Sequence, residues 1–129
     1  MTNETFNAFL KVSLKTPIKT KDFDTIPWSN HPTFEGVALK HLLTAKDTNG
    51  MFSFHLVKIM PNKSILNHVH VNELETHEVI EGSGVCINDG YSINYEHGVI
   101  SIMEKNTPHE VHAGDEGLFL FAKFIPALC

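Results

Sequence analysis

Arginine is absent from this sequence. All ten basic residues are lysine, against fifteen acidic ones, and the formal net charge is −5 with histidine neutral. Arginine is the usual residue for gripping carboxylates and phosphates through paired N–H donors. Its absence argues against a phosphosugar or dicarboxylate site, and the mild acidity argues against nucleic acid as a partner. Cysteine is scarce as well: Cys86 and Cys129 occur without CxxC spacing, and a reducing, cytoplasmic compartment is expected. No apolar run approaches the ~18 residues that would suggest a membrane span. Residues Met1 to Thr5 carry neither the basic nor the apolar region of a signal peptide. No membrane association is expected. Linkers, repeats and low-complexity tracts are also missing, and 129 residues suffice for one domain with a real core.

Strand signals are plentiful. Alternating apolar residues run from Gly36 to Leu43, and Met51 to Met60 reads as a long strand rich in Phe, Val and Ile. Lys46–Gly50, ending in Asn-Gly, is expected to be a hairpin turn. Gly82-Ser83-Gly84 and Asn88-Asp89-Gly90 read as further turns, Ala113–Gly117 as a loop, and Leu118 to Ile125 as the closing strand. Nine or ten short strands with turn signals between them, and no convincing helical stretch, predict an all-β sandwich or barrel. Residues 1–35 are expected to form an irregular or edge-strand segment in front of a barrel over 36–129. Two prolines within Ile26–Pro32 exclude a helix there, and Trp28 is expected to plug the core. The Phe-rich segments Phe52–Phe54 and Phe119–Phe121 read as core or as a homodimer interface.

Histidine is abundant, with nine residues, six of them between His68 and His112. On an extended strand His68 and His70 point to the same face. Glu75 follows five residues after His70, His77 shares its face by period two, and His109 starts a later strand after a proline turn. If the strands curl into a small barrel, inward residues converge. Three imidazoles and a carboxylate would then form a shell for a divalent transition metal. The donor types do not choose among Zn, Fe, Mn, Ni and Cu. An HxH pair alone is weak, because exposed strands often carry alternating polar residues. His77 reads as a catalytic candidate for proton transfer, as a support for the metal ligands, or as a satisfied core histidine. His112 points the other way and reads as a rim residue. His41, His55, Tyr91 and Tyr95 carry no assignment, and Cys86 reads as a small buried hydrophobe.

The spacing resembles the cupin superfamily, whose small β-barrels carry two motifs. The first runs Gly, five residues, His-x-His, three or four residues, Glu, six residues, Gly; here His68, His70, Glu75 and Gly82 fit it. The second runs Gly, five residues, Pro-x-Gly, two residues, His, three residues, Asn; here Gly98 and His109 fit it. Ser83 to His97 gives a 15-residue gap between the motifs, as in a minimal member. Asn62 stands for the first Gly, and Asn tolerates left-handed backbone. Glu104, Asn106 and Ala113 replace the Pro, Gly and Asn of the second motif. The motifs span about 50 residues, and the strand pattern extends the likeness over most of the chain.

The resemblance implies a jelly-roll barrel (a double-stranded β-helix) with a metal held by His68, His70, Glu75 and His109. It implies a small-molecule ligand in the barrel and a habit of homodimerisation. It also implies a metalloenzyme, of dioxygenase or isomerase type, or a non-catalytic sensor module. Retention of Glu75 disfavours thiol dioxygenases, whose sites usually lack it.

Overall fold

The computed structural model describes residues 3–129. Its strands alternate in burial because one face of a curled sheet lines an interior while the other is covered from outside. The chain runs α1 (Glu4–Lys11), β1 (Ser13–Lys15), β2 (Thr20–Asp22), a 3-10 turn (Phe23–Thr25), β3 (Ser29–Asn30) and β4 (Val37–Leu43). It continues through α2 (Ala45–Thr48), β5 (Ser53–Ile59), β6 (Ser64–His68), β7 (Leu74–Asn88), β8 (Tyr91–Tyr95), β9 (Ile100–Met103) and β10 (His109–Ile125). Strands β3-β4-β5-β10-β7-β8 form one antiparallel sheet, with β6 also paired to β10 and β9 to β7. This is the expected jelly-roll architecture.

Two long strands carry it. β7 and β10 pair from His109↔Asn88 to Ile125↔Leu74, with a register shift between Ala113 and Leu118. Gly82-Ser83-Gly84 is therefore no turn, and Ala113–Gly117 no loop. Both lie inside continuous strands and mark the corner where the sheet bends. Gly82 has φ +89°, and a Cβ there would run into the Gly117 carbonyl. Only glycine permits so close a backbone approach.

In β10, Leu118, Leu120, Ala122 and Phe124 face the barrel core with Val57, Ile59, Val79, Met103 and Val111. Phe119 and Phe121 face outward into a second core with Phe6, Phe23, Leu42 and Leu56. Period two explains the split. The second core is closed by α1, which contradicts the expectation that no helix occurs. Asn3 caps this helix by accepting from the Phe6 amide at 3.0 Å. Its Phe6 ring stacks on Phe119 at 4.7 Å, and Trp28 lies against the same ring at 6.3 Å. The Phe-rich outer face is thus covered by the chain's own helix.

β4 and β5 are joined as expected, but the connection contains α2 before Asn49 (φ 55°) turns left-handed. Asn62 is left-handed too (φ 62°), as its place in the motif requires, and so is Asn106 (φ 60°), which stands where the family has Gly.

Candidate metal centre

The centre is built by strand register. β6 and β10 pair His68 directly with His109, and their ring centroids lie 4.3 Å apart. Phe124 of β10 pairs with Glu75 near the start of β7. His70 lies just beyond β6, where the Asn106 amide donates to its carbonyl at 2.7 Å. The left-handed turn at Asn106 thus anchors His70 as well as leading into His109.

The ligating atoms of His68, His70, Glu75 and His109 all lie within 4.8 Å of one another. His68 Nδ1 donates to the Leu66 carbonyl at 2.7 Å, and His109 Nδ1 donates to the Thr107 carbonyl at 3.0 Å. Each bond engages Nδ1 and leaves Nε2 as the nitrogen that faces inward, the arrangement that metal-ligating histidines use. His70 Nε2 lies 3.5 Å from Glu75 Oε1, while its Nδ1 is 3.9 Å from Glu73 Oε1, too far for a hydrogen bond.

Glu75 is the electrostatic hinge. It is buried, and its ion-pair partners among the described residues are all imidazoles: His70, His77 and His109. Burial alone would raise its pKa. The proximity of His77 and hydrogen bonds from His109 and His77 outweigh that and hold it well below the usual carboxylate range. His109 is the mirror case. Burial pulls its pKa down, but the hydrogen bond and charge of Glu75 push it above the usual histidine value. Burial lowers His68 and His70, which leaves both lone pairs free at neutral pH. A buried carboxylate facing three imidazoles, with no lysine among its ion-pair partners in the described residues, calls for a cation. The donor set fits one divalent transition metal, whose binding would displace the proton that His109 shares with Glu75.

His77 is buried behind this group. Its Nε2–H donates to Glu75 Oε2 at 2.8 Å, and its Nδ1 accepts from the Tyr95 hydroxyl at 2.8 Å. Tyr95 is itself buried, and burial raises its pKa far enough that it stays a donor. The role of Tyr95 was not legible in the sequence, because it depends on the β7–β8 pairing. His112 lies outside the centre, between Ser64 Oγ (2.7 Å) and Glu110 (2.6 Å). Cys86 is buried in the barrel core, a free thiol like Cys129.

A cavity of about 70 Å³ opens onto the group. Its walls are apolar at Val37, Leu39, Val57, Ile65 and Phe124, and His31 lines it as well. His31 was not singled out in the sequence. Its Nδ1 accepts from the amides of Thr33 and Phe34, and its ring stacks on Phe34 at 4.5 Å.

Comparison with known proteins agrees with this architecture. The Cupin_2 family model, a cupin domain, matches residues 55–122. No curated protein sequence matches the chain. A predicted oxalate decarboxylase from Thermotoga maritima superposes with a TM-score of 0.73 at 22% identity, over 80% of this chain and 95% of the other. An RmlC-like cupin from Shewanella frigidimarina gives 0.71 at 16% identity, over 84% and 90%. The polyketide cyclase RemF from Streptomyces resistomycificus gives 0.69 at 19% identity, over 84% and 78%. Identities this low establish a shared fold.

Proposed function

The chain belongs to the cupin family, and from that premise we propose that it is a small-molecule metalloenzyme of the dioxygenase or isomerase type. Its metal would be held by His68, His70, Glu75 and His109. The observation that carries the proposal is the convergence of three imidazoles and one buried carboxylate, of which His68, His70 and Glu75 line a largely apolar cavity. Several of the fold's relatives carry enzyme names, a decarboxylase and a cyclase among them. A bound transition metal would supply Lewis acidity or, for a redox-active ion, a place to handle dioxygen.

The chain's own residues supply the rest. Val37, Leu39, Val57, Ile65 and Phe124 exclude water and strengthen electrostatic interactions around the ligating group. His77 keeps Glu75 ionised and oriented. Both of its ring nitrogens are engaged by protein groups, so in this proposal it is a positioning residue, and proton transfer from it would pass through Glu75. The cavity is well below the ~300 Å³ at which ligand pockets usually start, and arginine is absent. The substrate is therefore a compact, neutral or chelating molecule, or only part of a larger one enters.

That same small volume favours one second reading, a metal-binding sensor module without turnover. Water-proton relaxation of the Mn²⁺-loaded protein separates the two. An open coordination position gives enhanced relaxation that falls when acetohydroxamate, a compact chelator, is added. A shell closed by protein ligands gives no enhancement, and that result would exclude the enzyme. Cytoplasmic residence belongs to the proposal, since it would keep both thiols reduced. Among the described residues, no helix is long and apolar enough to cross a membrane. A homodimer would have to use a face other than the one under α1, and β9 offers Ile100 and Ile102, both exposed.

A further inference from the structure

A second group of ligating side chains meets near Phe124, whose ring also neighbours His70. His41 of β4 and His55 of β5 are direct register partners. Their Nδ1 atoms lie 2.7 Å apart and their rings meet edge to face. The segment after β10 is pinned over them by two backbone–backbone hydrogen bonds and one to a side chain. The Ala127 amide donates to Gly50 at 3.1 Å, the Leu128 amide to Ser53 Oγ at 2.9 Å, and the Ala45 amide to the Cys129 carbonyl at 2.6 Å. These bonds bring Cys129 Sγ to 3.9 Å from His41 Nδ1.

We propose that His41, His55 and Cys129 form a second metal site, which takes a thiophilic ion of the zinc class through two imidazole nitrogens and one thiolate. Their ligating atoms all fall within 4.8 Å of one another. A tetrahedral ion with Zn–N of ~2.0–2.1 Å and Zn–S of ~2.3 Å sets N···N near ~3.3 Å and N···S near ~3.6 Å. The observed 2.7 and 3.9 Å lie on either side of those values. Opening the imidazole pair by roughly 0.6 Å and drawing the thiol in by roughly 0.3 Å toward His41 reaches those two values, and the remaining pair, His55 and Cys129, already lies within 4.8 Å.

The surroundings are those of a ligand set. His55 Nε2–H donates to Ser53 Oγ at 2.7 Å, which fixes the tautomer and turns the Nδ1 lone pair toward His41 and Cys129. Ser53 also accepts the Leu128 amide. One buried hydroxyl thus orients both a ligand and the segment that carries the thiol. Burial lowers the pKa of His41; burial and the neighbouring His41 pull His55 down to about 4. Both imidazoles are neutral at pH 7, so metal binding needs only the Cys129 proton to leave. Cys129 is exposed and His41 half-buried, which leaves a fourth position open to water. The Phe124 ring stands 5.5 Å from His55 and 5.0 Å from His70, so the two centres share no ligand. They also differ in kind. The first is nitrogen and oxygen only, whereas sulfur makes this one selective for softer ions.

The test is a Co²⁺ titration of the metal-free full-length chain, read at the thiolate-to-cobalt charge-transfer absorption. Only a cysteine ligand produces that band, and Cys86 is buried in the core. Wild type should develop the band to saturation. Cys129→Ser, at an exposed position, should abolish it, and His41→Ala should weaken cobalt binding at least ~10-fold. His70→Ala, which disables the first centre, should retain the band in full. Retention there with no metal at the first centre of the wild type would sink only the functional proposal. A wild type without the band, a band surviving Cys129→Ser, a His41→Ala protein of unchanged affinity, or loss of the band in His70→Ala would each overturn the second site.

Discussion

At the residue scale, His77 decides how firmly the main centre is held. It spans Tyr95 and Glu75 with both ring nitrogens, and all three residues are buried. In His77→Ala, Glu75 Oε2 loses its donor and the Tyr95 hydroxyl loses its acceptor. Orphaned buried polar groups of this kind cost about 1–3 kcal/mol of stability. Loss of a group that orients a metal ligand typically costs ~10–100-fold in affinity. Competition against a chromophoric chelator should show that drop; wild-type affinity in His77→Ala would mean Glu75 needs no such support. The positions of His68, His70, Glu75 and His109 were legible because their spacing matches the two cupin motifs, and their ligating atoms lie within 4.8 Å of one another. Tyr95 and the His41–His55–Cys129 group were not. Their partners lie 14 to 88 residues away and meet only through strand pairing and the pinned final segment.

At the element scale, the small hairpin β1–β2 is tied to α2 by a single side chain. Asp47 accepts from Lys19 and Lys21, each at 2.6 Å, and from the Thr44 amide at 2.9 Å. Burial would raise its pKa, but these bonds hold it well below the ordinary carboxylate value. A depressed native pKa stabilises the fold above the unfolded value, ~3.9 for Asp, and that contribution disappears as pH falls through the native value. Asp47→Asn should therefore cost about 1–3 kcal/mol at pH 7, with the gap to wild type closing below about pH 4. Urea unfolding across pH measures it; a gap independent of pH would show that the carboxylate charge is not involved.

Helix α1 shows why some elements escaped the sequence. Phe6, Phe9 and Leu10 stand at i, i+3 and i+4 behind the cap Asn3, a helical signal over only eight residues. Short helices depend on tertiary packing, and the surface that stabilises α1, Phe119 and Phe121, lies more than 100 residues away. Glycines misled for a related reason. Gly82 and Gly84 allow a turn and a strand corner equally well, and only the pairing with β10 distinguishes them.

At the scale of the whole molecule, one curled sheet keeps two environments apart. Its outer face is closed by α1 and Trp28. Its inner face carries the two histidine groups, and the Phe124 ring neighbours a histidine of each. The regular spacing of turn signals revealed the barrel, while the long bent strands β7 and β10 that close it emerge only from their mutual register. The central claim is that His68, His70, Glu75 and His109 hold a metal. Elemental analysis of protein purified without added metal tests it most directly, in a Cys129→Ser background that silences the second site. About one transition-metal ion per chain is expected there, with strong loss on adding His70→Ala. Equal metal content with and without His70→Ala would contradict the assignment.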